Sequence, residues 1–182
     1  MKQKRKILFL LPALTGGGAE RTLVNLLHKV NYNRFAITLV LVAKVGVYLD
    51  QLPKEVKLIT LFDSAFLVRV LSYLQKKLGL EFLFSWPFSR KLKEQYDVAI
   101  SFQDSNFTNL LFALPASTKI VSWVHSSYVS NPNYSSSFAN LAYRKRVKEQ
   151  RYDRLDKLVF VSEDARKEFV SLFGDYSHSE VI

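Results

Sequence analysis

The chain contains no cysteine, so disulfides, thiolate metal sites and cysteine nucleophiles are all excluded. Histidine is also scarce, since only His28, His125 and His178 occur. No two of these histidines stand at a metal-ligand spacing such as His-Glu-x-x-His. We therefore expect no metal site built by the protein.

Long hydrophobic runs are absent as well. The longest apolar run near the start, residues 7–14, is too short to span a bilayer, and it contains Pro12. A run of glycines follows it, where a signal peptide would have a small-residue cleavage site. We therefore expect a cytoplasmic protein.

Length and composition predict one compact domain with a basic surface. The 182 residues are 48% hydrophobic and 23% charged, which is enough for an ordinary core and an ordinary surface. The net charge is +10, and its excess lies in residues 2–6, 66–94 and 142–157. Such clustering indicates a surface that faces phosphates, nucleic acid or a lipid leaflet. Helix faces that are basic only for solubility are the alternative.

Short, continuous apolar segments alternate with longer segments of helical periodicity. The short segments read as strands buried on both faces: residues 6–11, 36–43, 56–61, 97–101, 119–125 and 157–162. The two clearest helical stripes are Ala19, Leu23, Leu26, Leu27 and Val30, and then Leu67, Val70, Leu71, Leu74 and Leu78. A helix is expected in every connection except the short one between the second and third strands. The pattern predicts an α/β fold with a Rossmann-like, mostly parallel sheet and helices on both faces.

The first predicted strand leads into three consecutive glycines, Gly16, Gly17 and Gly18, and then into a helix. Glycine lets the backbone approach a ligand closely, and a helix start offers unpaired amide groups and a partial positive charge. In a parallel sheet, ligands bind beyond the carboxyl ends of the strands, where this segment lies. The glycines therefore predict a phosphate site, and a tight strand-to-helix turn is the alternative.

Two familiar nucleotide motifs do not fit this segment. The dinucleotide fingerprint Gly-x-Gly-x-x-Gly needs a third glycine where Arg21 stands. The second strand also ends in Val42-Ala43-Lys44, without an acid for a ribose. The phosphate-loop motif, which ends in Gly-Lys-Ser or Gly-Lys-Thr, is absent. NAD and ordinary ATPase chemistry are therefore disfavoured.

Four segments together resemble the N-terminal domain of glycosyltransferase family 4, whose members are retaining enzymes with a GT-B fold. They are PALTGGGAERTLVNLL after the first strand, YDVAIS at residues 96–101, WVH at residues 123–125 and FVSEDA at residues 160–165. They occur in the family's order and are distributed along nearly the whole chain, from residue 12 to residue 165. The resemblance implies that residues 1–182 are the acceptor-side half of a GT-B enzyme. The family's paired glutamates have no counterpart, so the C-terminal donor-binding domain is expected to be absent from this chain.

By that resemblance, the complete enzyme transfers a sugar from a nucleotide-diphosphate sugar to an envelope saccharide or a lipid-linked acceptor. The reaction is hexosyltransferase-like, needs no metal or other cofactor, and is not expected of this chain alone. The expected partners are the donor, the acceptor, the C-terminal domain and the inner face of the cell membrane. A non-catalytic module for an anionic glycan or membrane surface is the alternative. Nucleic acid is not expected, because no motif would place a helix or an aromatic platform on bases.

The resemblance also implies roles for the glycines and for one histidine. Gly16, Gly17 and Gly18 would lie near the donor diphosphate and the reacting sugar, where their amides stabilise the departing phosphate. Arg21 would approach a phosphate, or remain a surface residue. His125 is the expected catalytic residue, because a histidine at this strand end contacts the transferred sugar or its phosphate in the family. A buried histidine that only shapes the loop is the alternative.

Polar residues at other element ends have competing interpretations. Asp104 and Asn106 follow the fourth strand, where they would hydrogen-bond an acceptor hydroxyl or cap a helix. Glu20 lies in the first turn of the first helix and complements the helix dipole. Ser162 reads as the N-cap of the last helix.

Residues 62–94 combine an amphipathic stripe with aromatic and basic side chains. The residues expected to face a membrane are Arg69, Lys76, Lys77, Trp86, Arg90 and Lys91. Aromatic side chains beside Lys and Arg are typical of an interfacial membrane contact. Ordinary core packing is the alternative.

Overall fold

Seven parallel strands form one sheet in the computed structural model, which describes residues 3–78, 80–125, 128 and 137–182. The strands are β1 (Arg5–Leu11), β2 (Phe35–Ala43), β3 (Lys57–Phe62), β4 (Val98–Ser101), β5 (Lys119–Val124), β6 (Lys157–Phe160) and β7 (Ser179–Val181). Their order across the sheet is β3-β2-β1-β4-β5-β6-β7, and every neighbouring pair is parallel. The predicted Rossmann-like parallel sheet is confirmed.

Five α-helices and three short 3-10 helices that lie wholly within the described residues connect these strands. The α-helices are α1 (Gly18–Lys29), α2 (Ala65–Leu78), α3 (Phe82–Lys91), α4 (Leu141–Gln150) and α5 (Glu163–Phe173). The 3-10 helices are Leu49–Gln51, Asn106–Ala113 and Tyr152–Arg154. None of the helices in the described part of the chain combines the length and the apolar character that crossing a membrane requires.

Helices cover both faces of the sheet, as the sequence predicts. On one face, Leu23, Val24 and Leu27 of α1 pack against inward-facing strand residues such as Leu11 and Leu41. On the other face, a larger core takes its helical members from α3, α4 and α5: Phe84, Phe88, Val147, Phe169 and Phe173. Alternate strand residues face opposite sides, which is why each strand contributes to both cores.

Local sequence explains where α5 begins and ends. The amide of Ala165 donates a hydrogen bond of 3.2 Å to the Ser162 hydroxyl, so the predicted N-cap is confirmed. Glu163 and Asp164 lie in the first turn, where negative charge complements the helix dipole. The helix ends at Gly174, whose φ of 86° does not continue a right-handed helix.

Two elements differ from the sequence prediction. The connection from β4 to β5 is the 3-10 helix Asn106–Ala113 rather than an α-helix. Pro115 favours an extended backbone at Leu114, so the helix stops before it. The strand Ser179–Val181 was not expected, because it is short and largely polar and is defined only by its pairing with β6.

The apolar stripe of α2 is more exposed than its periodicity predicts. Leu67, Val70 and Leu78 are exposed, whereas Val68 and Leu71 pack against the larger core. Helix α2 contacts β2 and β3, and β3 is the last strand at its end of the sheet. Only part of the apolar surface of α2 is therefore covered by the sheet.

Candidate functional site

The carboxyl ends of β1, β4 and β5 lie side by side at one edge of the sheet, because these strands are parallel neighbours. Strand β1 leads into residues 15–18, which we call the glycine loop, and β5 leads into His125. Since neighbouring strands are about 4.8 Å apart, β1 and β5 are separated by roughly 10 Å. The fold therefore brings the glycine loop and His125 to the same edge.

The glycine loop is exposed and shaped by its glycines. Gly16 has a φ of +118°, which L side chains rarely adopt, so this turn requires glycine. Gly17 is the N-cap of α1 and has no side chain to bond the amides of the first turn. A β-carbon at Gly18 would meet no atom within 4 Å, so the first turn borders open space. The start of α1 can therefore present amides without intrahelical partners to an anion.

Glu20 is buried in the first turn of α1. Its Oε2 lies so close to Gly17 that a β-carbon built there would be 2.3 Å away. Its charge is also near enough to His125 to act on that imidazole. The first-turn position agrees with the expected dipole role, but the sequence did not predict that this carboxylate links the glycine loop to His125.

His125 follows β5 and is held among aromatic rings. Its ring centroid is 4.9 Å from that of Phe102 and 5.7 Å from that of Trp123. Burial lowers the pKa of His125, although the charge of Glu20 and a hydrogen bond with the Phe102 backbone oppose that shift. The imidazole is therefore neutral at pH 7, and its buried Nε2 has no hydrogen-bond partner among the described residues.

Asp104 is a buried carboxylate that accepts several hydrogen bonds. Its Oδ2 accepts from the hydroxyls of Tyr128 at 2.7 Å and Tyr152 at 2.9 Å. Its Oδ1 accepts from the hydroxyls of Ser122 at 3.2 Å and Thr108 at 3.3 Å. These contacts come from β5 and from the connections next to β4, β5 and β6, so the carboxylate joins several segments of the chain.

Arg151, at the end of α4, supplies the positive charge beside Asp104. Its Nη1 is 3.4 Å from Asp104 Oδ2, and the two side chains are only 4% and 3% exposed. Its Nε and Nη2 donate to Asn109 and Asn106 at 3.2 and 3.0 Å. Burial lowers the pKa of Arg151, but attraction to Asp104 outweighs burial and the net shift is upward. The two residues thus form a buried ion pair.

Comparison with protein-family models matches residues 16–182 to one family, described as Glycosyltransferase Family 4. The chain belongs to Glycosyltransferase Family 4. The match begins at Gly16 and includes the three glycines, β4, β5, His125 and β6, whereas β1 precedes it. Comparison with curated proteins gave no match.

Solved structures confirm the fold of this family 4 chain. The Anabaena protein HepE, in complex with UDP and glucose, has 18% identity and a TM-score of 0.64 over 98% of this chain. WaaB, a lipopolysaccharide outer core galactosyltransferase in its apo form, has 16% identity and a TM-score of 0.55 over 97%. An alpha-glucosyltransferase in complex with UDP and a 13-mer DNA has 16% identity and a TM-score of 0.58 over 100%.

The family 4 chain is shorter than these structural neighbours. It spans 44% of HepE, 44% of WaaB and 42% of the alpha-glucosyltransferase. The neighbours are GT-B glycosyltransferases, so the predicted resemblance and the fold of one GT-B half are confirmed. Which half it is, and what the whole protein does, remain proposals.

The structure brings some of the predicted site residues together and separates others. The glycine loop, Arg21 in α1 and His125 lie at the same edge of the sheet, and Arg21 is exposed there. Asp104 lies at that edge too, but it is buried and faces inward. This geometry does not support the predicted acceptor contact of Asp104. Asn106 is exposed with its Oδ1 bonded to Arg151, so its acceptor contact stays a prediction.

Neither residue forms the helix cap considered as an alternative, because Ser105 caps the 3-10 helix. Sequence reasoning also missed Arg151, Tyr128 and Tyr152 as partners of Asp104. They stand 24 to 48 positions away from it along the chain, and no motif spacing links them to it. Only the packing of the strands reveals this cluster.

Exposed aromatic and basic residues cover α2 and α3. We call them the aromatic–basic surface: Phe66, Arg69, Tyr73, Lys77, Phe82, Trp86 and Arg90. Trp86 is 62% and Phe66 74% exposed, so core packing does not explain these two rings. The Arg90 guanidinium lies 5.2 Å from the centroid of the Trp86 ring. Lys77 lies 5.8 Å from that of Tyr73.

Two of the predicted membrane-facing residues do not contribute in the same way. Lys91 donates to the backbone carbonyls of Thr60 and Leu61 at 2.6 and 3.2 Å, so its ammonium secures the end of β3. The side chain of Lys76 lies outside the described residues. The membrane role predicted for Arg69, Lys77, Trp86 and Arg90 remains a prediction.

Proposed function

We propose that residues 1–182 are the acceptor-side, N-terminal domain of a retaining glycosyltransferase. The whole enzyme transfers a sugar from a nucleotide-diphosphate sugar to an envelope saccharide or a lipid-linked acceptor. The observation that carries this proposal is the meeting of the α1 start, Glu20 and His125 at one edge of the sheet. UDP and glucose in HepE support a nucleotide-sugar donor for this chain as well.

The glycine loop would stabilise the leaving diphosphate. When the bond between the anomeric carbon and the donor phosphate breaks, negative charge grows on the phosphate and positive charge on the sugar. Amides at the start of α1 point their partial positive charge toward an anion and need no reorganisation to do so. Arg21 is exposed in the second turn, where its charge adds to the attraction of the donor. No protein-bound metal is needed in this scheme.

His125 would contact the transferred sugar or its phosphate. A neutral imidazole can donate or accept one hydrogen bond at Nε2, which has no partner among the described residues. An unpaired buried polar atom costs about 1–3 kcal/mol, so a ligand oxygen at Nε2 would remove that cost. Glu20 attracts any positive charge that develops on the imidazole or on the nearby sugar.

The donor-binding domain would have to be supplied by another segment of the protein. This chain spans less than half of the neighbours that bind UDP, and we propose that it is inactive alone. In the whole enzyme, His125→Gln should lower transfer from UDP-glucose at least tenfold. His28→Gln is the matched control, because His28 lies far along α1 and its Nε2 contacts the Gln51 carbonyl at 2.8 Å. Equal activity of the two variants would contradict the role of His125.

Donor identity is tested separately, by titration calorimetry of the whole enzyme. UDP-glucose, UDP-galactose, GDP-mannose and free UDP form the panel, and saturable heat with at least one nucleotide sugar is expected. No heat with any nucleotide sugar would contradict the transferase proposal. It would favour the alternative, a non-catalytic module for an anionic glycan or membrane surface.

The aromatic–basic surface supports a peripheral site of action at the inner face of the cell membrane. Its rings are amphipathic anchors for the headgroup region, and its cations would attract anionic lipid. Arg90 above Trp86 and Lys77 above Tyr73 combine both properties in single helical turns. A lipid-linked acceptor would be presented at that same surface of the bilayer.

A further inference from the structure

The Asp104 carboxylate holds the chain on both sides of His125. Ser122 stands three positions before the histidine, on β5, and donates to Oδ1 at 3.2 Å. Tyr128 stands three positions after it and donates to Oδ2 at 2.7 Å. One buried carboxylate therefore spans the short segment at whose centre His125 lies.

A backbone hydrogen bond also joins the segment after β4 to the segment that carries His125. The amide of Asp104 donates to the carbonyl of Trp123 at 3.0 Å, which extends the contact with β5 beyond the end of β4. The ring of Phe102, two positions before Asp104, lies against the imidazole of His125. The segment that follows β4 thus contacts the His125 segment through its backbone, a carboxylate and an aromatic ring.

The groups around the carboxylate make it rigid. Burial, together with the Asp104 charge, raises the pKa of Tyr128 and of Tyr152 well above the usual value for tyrosine, so both hydroxyls remain protonated donors. The Tyr128 ring packs against Phe138, Phe169 and Phe173 at centroid distances of 5.5 to 6.1 Å. Tyr128 is therefore fixed at its hydroxyl by Asp104 and at its ring mainly by α5.

We propose that Asp104 is a positioning residue for His125, because its carboxylate holds the chain on both sides of that histidine. The buried charge of Arg151 keeps the carboxylate in place. The importance of this positioning for sugar transfer rests on the function proposed above, whereas the positioning itself does not. Asp104 touches neither donor nor acceptor in this scheme and acts only through His125.

Tyr128→Phe tests the positioning in this chain without any substrate. The variant keeps the ring that packs against α5 and loses only the hydroxyl that donates to Asp104. Histidine side chains are followed by proton–nitrogen NMR as the pH is changed. We expect the pKa of His125 to move upward, toward its ordinary value, by about 0.5 pH unit as the released segment gains water. Ser122→Ala, which releases the other side, should act in the same direction and serves if Tyr128→Phe does not fold.

Tyr176→Phe is the matched control. The Tyr176 hydroxyl donates to Asp153 at 2.7 Å, and its ring lies 5.2 Å from that of His178. This variant also removes one hydroxyl from a buried tyrosine, but it should move the His178 signals and leave the His125 titration unchanged. The comparison therefore shows whether a change in the His125 titration is specific to the loss of the Tyr128 hydroxyl.

An unchanged His125 titration in both Tyr128→Phe and Ser122→Ala would overturn the proposal. A changed titration supports it whether or not transfer is affected. If the titration changes but His125→Gln leaves transfer by the whole enzyme normal, Asp104 positions His125 and the proposed role of His125 in transfer is wrong. The two ideas can therefore fail independently.

Discussion

The Glu20 carboxylate of α1 occupies the space into which a side chain at Gly17, the N-cap of the same helix, would project. A β-carbon at Gly17 would be 2.3 Å from Glu20 Oε2, well inside van der Waals contact. A side chain at this position would have to move the end of the buried Glu20 side chain. Gly17 is thus restricted by a neighbour in its own helix, whereas Gly18 borders open space.

Gly17→Ala and Gly18→Ala should therefore differ. Alanine at Gly17 would displace Glu20 and lower the melting temperature, whereas alanine at Gly18 meets no atom within 4 Å and should leave it unchanged. If a donor phosphate binds the loop, the methyl group added by Gly18→Ala would obstruct that phosphate and weaken nucleotide-sugar binding about tenfold. Thermal unfolding and calorimetry separate these effects. Equal melting temperatures for both variants would contradict the assigned contact.

The histidine at the end of β5 should make the fold sensitive to acid. Its pKa in the folded chain lies below the ordinary 6.5, so the unfolded chain binds more protons as the pH falls below that value. The His125 contribution to the free energy of unfolding is therefore fully present above 6.5 and is lost as the pH falls through the folded pKa. His125→Gln removes the titrating group.

Melting temperatures measured between about pH 5 and pH 8 should then depend less on pH in His125→Gln than in the unmodified chain. His28→Gln provides the comparison, since that histidine is exposed on α1. A variant curve that runs parallel to that of the unmodified chain through the acidic range would show that His125 is not a buried neutral group.

The ion pair between Asp104 and Arg151 should be essential for stability. Arg151→Ala would leave a buried carboxylate without its cation, which costs about 3–5 kcal/mol in the free energy of unfolding. Lys145→Ala is the control, because Lys145 forms an exposed pair with Glu149 at 3.8 Å and such pairs contribute little. Urea unfolding of both variants measures the difference. A loss no larger than that of the control would mean that water replaces the guanidinium.

The aromatic–basic surface should bind anionic vesicles. Replacing Trp86 by Ala and Arg90 by Gln together should reduce co-sedimentation with phosphatidylglycerol vesicles at least fivefold, since one anchor and one cation are lost. Replacing Phe35 by Ala and Arg34 by Gln gives the control. The Arg34 guanidinium lies 5.8 Å from the centroid of the Phe35 ring at the start of β2, and neither residue belongs to the aromatic–basic surface. Equal binding by both double variants, or no binding of anionic vesicles by the unmodified chain, would exclude the membrane proposal.

Sequence patterns by themselves determined the sheet and the glycine loop. Continuous apolar runs such as residues 36–43 indicate strands buried on both faces, because water-exposed strands would alternate with polar residues. Three adjacent glycines before a helical stripe indicate a close turn at a strand end. These signals are local, and six strands and the first helix followed from them. Strand β7 did not, since a short polar segment becomes a strand only beside β6.

Only the tertiary structure decided what the polar residues at the strand ends do. The sequence predicts that Asp104 contacts an acceptor hydroxyl or caps a helix, but strand pairing places it among Ser122, Tyr128 and Arg151 and removes it from solvent. Glu20 reads as an acid that complements the helix dipole, yet it is also buried beside Gly17 and its charge acts on His125. Burial and pairing of a charge depend on residues far away along the chain. No local spacing carries that information, whereas the apolar pattern of a strand is contained in the strand itself.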